Sequence, residues 1–237
     1  MNTLTKLTVG LVLAMSFTLT ACGDGGAKKS GLGSNELVGN LPAIYADNQL
    51  SLDAIRKKRD EAEAKAMQSG NSNKYAKAKE DYDKAYDKIE AEFKEASKAE
   101  RAKINGKSIP FSMSDDFKKL KLEVVSVKVD AEKNNLAIVI HPTEDFKITG
   151  YSSNMLDYRY VNYKVLAKDG SVIKTDMVLI TALMASQSKT FVKGEPVKLG
   201  RDGEEQKDLW GNLSVSSDPE KWVDFASIQF VGPKETK

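Results

Sequence analysis

The strongest constraint in this sequence is a change of hydrophobic period near Asn105-Gly106. Before that point apolar residues recur at steps of three and four; after it they alternate. The first pattern lines one face of a helix, and the second lines one face of a strand. The chain is therefore expected to fold as a helical part followed by a β part, an α+β arrangement.

The helical part is expected over residues 41–106. Ser51 is the expected N-cap of a first helix, with Asp53 in its first turn, and Gly70-Asn71-Ser72-Asn73 is a turn signal. A second helix is expected from Asn73 to Ile104, ended by Asn105-Gly106. Its apolar stripe is Tyr75, Ala78, Tyr82, Tyr86 (or Ala85), Ile89, Phe93 and Ala96, and the first helix offers Leu52, Ile55, Ala62 and Ala66. The short connection predicts an antiparallel hairpin with tyrosines packed over alanines. Two helices bury little surface, so the hairpin should lean on the β part or on a partner. Residues 41–50 form a short apolar island that docks through Ile44 and Tyr45. The basic run Arg56-Lys57-Lys58-Arg59 is diluted by Asp60, Glu61 and Glu63 and reads as a solvated face.

The β part is expected over residues 107–233. Leu120, Leu122 and Val124 are in one phase, and Val125, Val127 and Val129 in the other, which predicts a β-bulge or a strand crossing between sheets at Val124-Val125. Leu136–His141 is apolar on both faces and reads as a central strand. Further strands are expected at Phe146–Ile148, at Tyr158–Ala167 and, through the Lys168-Asp169-Gly170 turn, at Ser171–Leu179. Residues 180–188 are ambiguous between strand and helix. Pro219 opens a short helix, and Phe225–Val231 is the last strand. About seven or eight strands without crossover helices predict an antiparallel immunoglobulin-like β-sandwich.

The N-terminus carries a different signal. Lys6 precedes an apolar run from Leu7 to Leu19, which ends on the small residues Thr20-Ala21. These are the parts of a secretory signal peptide over residues 1–21. A helix of about 13 residues spans roughly 20 Å, short of the ~30 Å hydrocarbon core, so the run is too short to cross a bilayer. The stretch Leu19-Thr20-Ala21-Cys22 resembles the lipobox of bacterial lipoproteins. That resemblance implies cleavage before Cys22, a diacylglycerol on its thiol and acylation of the new amine. Two or three chains anchor stably where one does so only marginally. Residues 22–40, with six glycines after the cysteine, are expected to be a flexible tether. Gly23 after the cysteine resembles the outer-membrane, periplasm-facing case of the family. The C-terminal half also resembles immunoglobulin-like β-sandwich domains of secreted bacterial lipoproteins. The shared features are a long first strand, a strand ending in Asp-Gly, a Lys193-Gly194-Glu195-Pro196-Val197 stretch and an aromatic-rich last strand. No functional residues come with that second resemblance.

Little of the chain points to chemistry. Basic and acidic residues nearly balance, 36 against 34, which gives no clustered basic face for nucleic acid. Cys22 is the only cysteine and His141 the only histidine. No disulfide framework, cysteine metal site or histidine-based zinc site is expected, and no serine sits in a nucleophile-elbow pattern near His141 and Asp145. The acidic stretches at Asp115-Asp116 and Asp202–Glu205 lack calcium-loop spacing. No catalytic residue, metal ligand or cofactor is assigned beyond the covalent lipid on Cys22. The expected binding surface is aromatic: Tyr158, Arg159, Tyr160 and Tyr163, with Tyr151 nearby. Trp210 and Trp222 either add to that surface or plug the ends of the sandwich.

These readings predict a non-catalytic binding or scaffolding lipoprotein of the cell envelope, with a protein or glycan partner. The alternatives are a carrier of a small apolar ligand in the sandwich and an enzyme with a sparse carboxylate site.

Overall fold

The computed structural model describes residues 29–150, 157–185, 187–199 and 209–232, without the side chains of Asp157 and Tyr158. Helix α1 (Leu41–Gln68) and helix α2 (Ser72–Ile104) form the antiparallel hairpin. α1 begins ten residues before the expected Ser51 cap. Pro42 stands in its first turn, where a missing N–H costs nothing, so the apolar island is the start of the helix. Asn71 caps α2 by accepting from Lys74 N at 3.1 Å, and Gly70 and Gly106 take positive φ at the two helix ends.

The hairpin seam is thick at its base and thin toward its tip. Near the base Tyr45 packs on Phe93 at 5.2 Å between centroids, and the Tyr45 hydroxyl accepts from Arg101 at 2.6 Å. Farther out, Arg59 lies over the Tyr82 ring at 4.7 Å, and Ala66 and Ala78 are buried. Ala62, expected on the seam, is exposed.

The β part has two main sheets. Strands β1 (Phe111–Met113), β2 (Leu122–Asp130) and β3 (Asn135–Pro142) are followed by β4 (Phe146–Thr149), β5 (Asp157–Ala167) and β6 (Val172–Leu183). Strands β7 (Ser188–Phe191), β8 (Leu209–Asn212) and β9 (Phe225–Gly232) complete the set, with short helices α3 (Asp115–Lys118) and α4 (Pro219–Trp222) between strands. One sheet runs β1-β9-β5-β6, the second β2-β3-β8, and β4 pairs with β7. The β2–β3 register shifts between Val124 and Ser126, where the phase change in the sequence predicts a bulge. The ambiguous stretch extends β6 to Leu183. The pairing of β1 with β9 is parallel, a departure from an all-antiparallel arrangement. It arises because residues 106–113 pass from one sheet to the other. Gly106, Lys107 and Ile109 hydrogen-bond to Val127 and Val129 of β2, and β1 then joins β9.

The facing sheets share one core, which includes Val127, Leu136, Ile138, Val161, Val165, Val178, Ile228 and Phe230. Val38, Leu41 and Ile104 belong to the same buried cluster, so the hairpin base is continuous with the β core. Residues 34–40 are part of this packing. Asn35 is buried and its Nδ2 donates to Val223 O and Phe225 O at 2.9 and 2.8 Å. Its Oδ1 accepts from Leu37 N and Val38 N, and its backbone pairs with Gly39. Val38 is thereby driven fully into the core. Gly39 takes φ +59°, and a Cβ there would meet Glu100 Oε1 at 2.2 Å. That buried carboxylate accepts from Asn40 N at 2.9 Å and from Lys103 at 2.9 Å. The expectation of a flexible tether through residue 40 is corrected for this stretch: full satisfaction of Asn35 and burial of Val38 fix it to the domain.

Candidate functional site

The expected aromatic surface on β5 is divided by the strand's two faces. Tyr163 is fully buried and belongs to no surface. Its hydroxyl accepts from Asn212 N at 2.9 Å and donates to Asn212 O at 3.4 Å, between the two sheets. Burial first, then the nearby Asp176 carboxylate, push its pKa well above the usual phenol value. Tyr163 is thus a core residue with a satisfied polar handle, a correction to its expected place in a binding patch.

Tyr160 lies three residues earlier and is 40% exposed on the opposite face. It pairs with Leu179 across β5–β6, and the exposed Met177 is opposite Asn162 on the same face. Arg159 is half-buried, and the register shifts between it and Tyr160. The side chain of Tyr158, all of Tyr151 and Cys22 lie outside the described residues. What the described residues bring together on this face is Tyr160, Leu179 and Met177, a narrower apolar patch than the sequence suggests.

The tryptophans divide in the same way. Trp222 is buried in the core against Phe225 at 5.2 Å. Trp210 is 41% exposed and carries Lys133 over its ring at 4.8 Å.

A second exposed aromatic surface lies on the hairpin. Tyr75 and Tyr86 belong to the stripe that was expected to be buried against α1, and both remain over one-third exposed. Met67, at the hairpin tip, is 67% exposed. Tyr82 packs with the Tyr86 ring at 6.1 Å and carries Arg59 above it. The alanines of α1 are too small to cover three tyrosine rings.

Of the groups weighed for chemistry, Asp145, Asp115 and Asp116 have hydrogen-bond or ion-pair partners. His141 on β3 lies across from Glu123 on β2. Asp145, its sequence neighbour, accepts from Lys193 N at 2.7 Å and fixes the 193–195 turn. Asp115 and Asp116 pair with Lys118 and Lys119 at 3.0 and 2.8 Å. The acidic stretch at residues 202–205 lies outside the described residues. Among the described residues no group of three or more His, Cys, Asp or Glu side chains could hold a metal ion. No described helix is long and apolar enough to cross a membrane.

A cleft of about 410 Å³ lies between the β5–β6 turn and α4. Lys168, Lys221, Asp169 and Asp224 line it beside Val172 and Ile173. Its charged mouth differs from the closed apolar chamber that a carrier requires.

The sequence reading missed the Asn35–Gly39 clasp. Its signal was present as Leu37-Val38 beside Gly39, an apolar pair inside a stretch otherwise rich in small and polar residues. No family model, curated protein or solved structure matches the chain.

Proposed function

We propose that the chain is a lipoprotein of the cell envelope, attached through Cys22, whose helical hairpin and β-sandwich bind an envelope partner without catalysis. The attachment rests on the signal-like run and Leu19-Thr20-Ala21-Cys22. The binding role rests on one observation: Tyr75, Tyr86 and Met67 stay exposed on a hairpin held at its base. Exposed aromatic and methionine side chains on a projecting element favour a protein partner. A β-sandwich of immunoglobulin-like kind belongs to the same proposal. Two facing sheets support it, although β2 and β3 pair as neighbours in one sheet, a connectivity of its own. Placement in the outer membrane is supported by the resemblance of Gly23 to that case, and a periplasm-facing orientation by the lack of an acidic run after Cys22.

Crosslinking in native membranes followed by pull-down tests the reading. The expected result is a discrete adduct that is lost in a Tyr75→Ser, Tyr86→Ser variant. Recovery of the monomer alone, under several crosslinkers, removes the scaffold reading.

A further inference from the structure

The docked N-terminal stretch changes where an anchored molecule would sit. If residues 22–40 were all free, a chain of that length would let the domain stand well off the bilayer. The structure instead fixes the chain from residue 30 onward. Ser30 N donates to the Asp47 carboxylate of α1 at 2.5 Å, and Asn35 and Val38 are buried beyond it. Only the residues between Cys22 and Lys29 remain to reach the lipid. Fully extended, the eight steps from Ser30 back to Cys22 span no more than about 29 Å.

The exit point lies on α1, six residues after its start. From Asp47 to the end of α1 at Gln68 the helix rises about 32 Å. The tip of the hairpin is therefore farther from the exit point than the chain can reach, and an anchored molecule cannot stand on its tip. The same reach keeps the flank of α1 around Asp47 within about 29 Å of the lipid that holds the anchor. On that flank Ser51, Ala54, Lys58, Glu61 and Lys65 follow at steps of four and three. Lys58 and Lys65 are exposed, and Lys29 stands at the exit itself. Lys28 precedes it in the sequence. Along the helix line Lys58 and Lys65 balance Asp47 and Glu61, and Lys29 at the exit tips the sum to positive, as an anionic headgroup surface favours. The other sides of α1 are taken by α2 and by the segment before α4, where Gln49 donates to Ser216 O at 3.4 Å.

We infer that the α1 flank running from Asp47 to Lys65 lies against the anionic lipid surface that holds the Cys22 anchor. This rests on the proposed lipidation and adds an orientation to it. The hairpin then lies along the membrane, and a partner is met at the lipid surface rather than at the end of a leash.

The test uses the full-length lipidated protein in vesicles of phosphatidylethanolamine and phosphatidylglycerol. With Cys22 occupied by lipid, a cysteine introduced by Lys65→Cys or by Lys193→Cys is the single labelling site. Both positions are exposed, and Lys193 lies on the turn beside Pro142, at the opposite end of β3 from the hairpin base. Energy transfer from the label to a headgroup fluorophore is measured in the sedimented fraction. The expected result is at least twofold stronger transfer from the Lys65 site than from the Lys193 site. Equal or weaker transfer at Lys65, in protein that sediments with vesicles, overturns the orientation and leaves the anchor standing. Protein that does not sediment at all overturns the anchor, and the orientation falls with it.

Discussion

Tyr163 and Asn35 carry more of this fold than their residue types suggest. Both are polar side chains placed inside the core, and both have every local demand met by backbone groups. Tyr163→Phe keeps the ring but strands the Asn212 N–H. A loss of about 1–3 kcal/mol is expected from urea unfolding. The same residue sets a pH dependence. Its pKa is raised in the folded state, so its contribution is fully present below the unfolded value near 10 and falls as pH rises above it. Stability should drop between pH 9 and about 11 more steeply in the wild type than in Tyr163→Phe. Parallel slopes in the two proteins contradict the assignment. Asn35→Ala should cost about 2–3 kcal/mol, because the Val223 and Phe225 carbonyls lose their donor. Gly211 matters for the same contact. A Cβ there would meet the Tyr163 hydroxyl at 2.9 Å and Ile138 Cδ1 at 3.0 Å, so the glycine lets the sheets approach.

Among elements, β6 is the one whose design needs explaining. It spans Val172–Leu183 and is the terminal strand of its sheet among the described residues. A long edge strand invites pairing with another chain. Here Lys174 and Asp176 pair with each other at 2.7 Å, both largely shielded, and Lys174 also donates to Ser214 at 2.9 Å. Charges turned toward the sandwich make edge pairing costly, because a new strand would desolvate them. Replacing both by valine should raise self-association, read as a concentration-dependent shift in sedimentation velocity. An unchanged monomer peak would remove the protective role. The hairpin shows the opposite economy. Its outer half is held by Arg59 over Tyr82 and by the buried Ala66 and Ala78, with exposed pairs such as Glu80–Lys84 at 2.6 Å adding little. Amide exchange should therefore be faster at residues 60–84 than in β3. Equal protection would mean that a partner or a second contact covers this arm.

At the scale of the molecule, the hairpin and the β sheets share one core. Val38, Leu41 and Ile104 pack with the β residues, and the 106–113 crossing strand ties the hairpin exit to both sheets. Division into a hairpin at 41–106 and a sandwich at 107–233 therefore cuts a continuous core. A chain beginning at residue 107 should unfold at a temperature at least ~5 °C below the full protein, since exposing several buried aliphatic residues costs about 2 kcal/mol or more each. An unchanged melting temperature would restore the two-domain picture.

The sequence by itself determined what depends on neighbours along the chain. The helix-to-strand switch at Asn105-Gly106, the bulge at Val124-Val125 and the Lys168-Asp169-Gly170 turn were legible because period and turn chemistry are local. Tertiary structure decided what depends on distant groups. It placed Tyr163 inside and Tyr160 outside, left Tyr75 and Tyr86 uncovered, and turned Asn35–Gly39 from spacer into clasp. Glycine and asparagine in a short stretch read alike in a linker and in a tight docked loop. The carbonyls that satisfy Asn35 belong to Val223 and Phe225, nearly the whole chain away, and only folding brings them within reach.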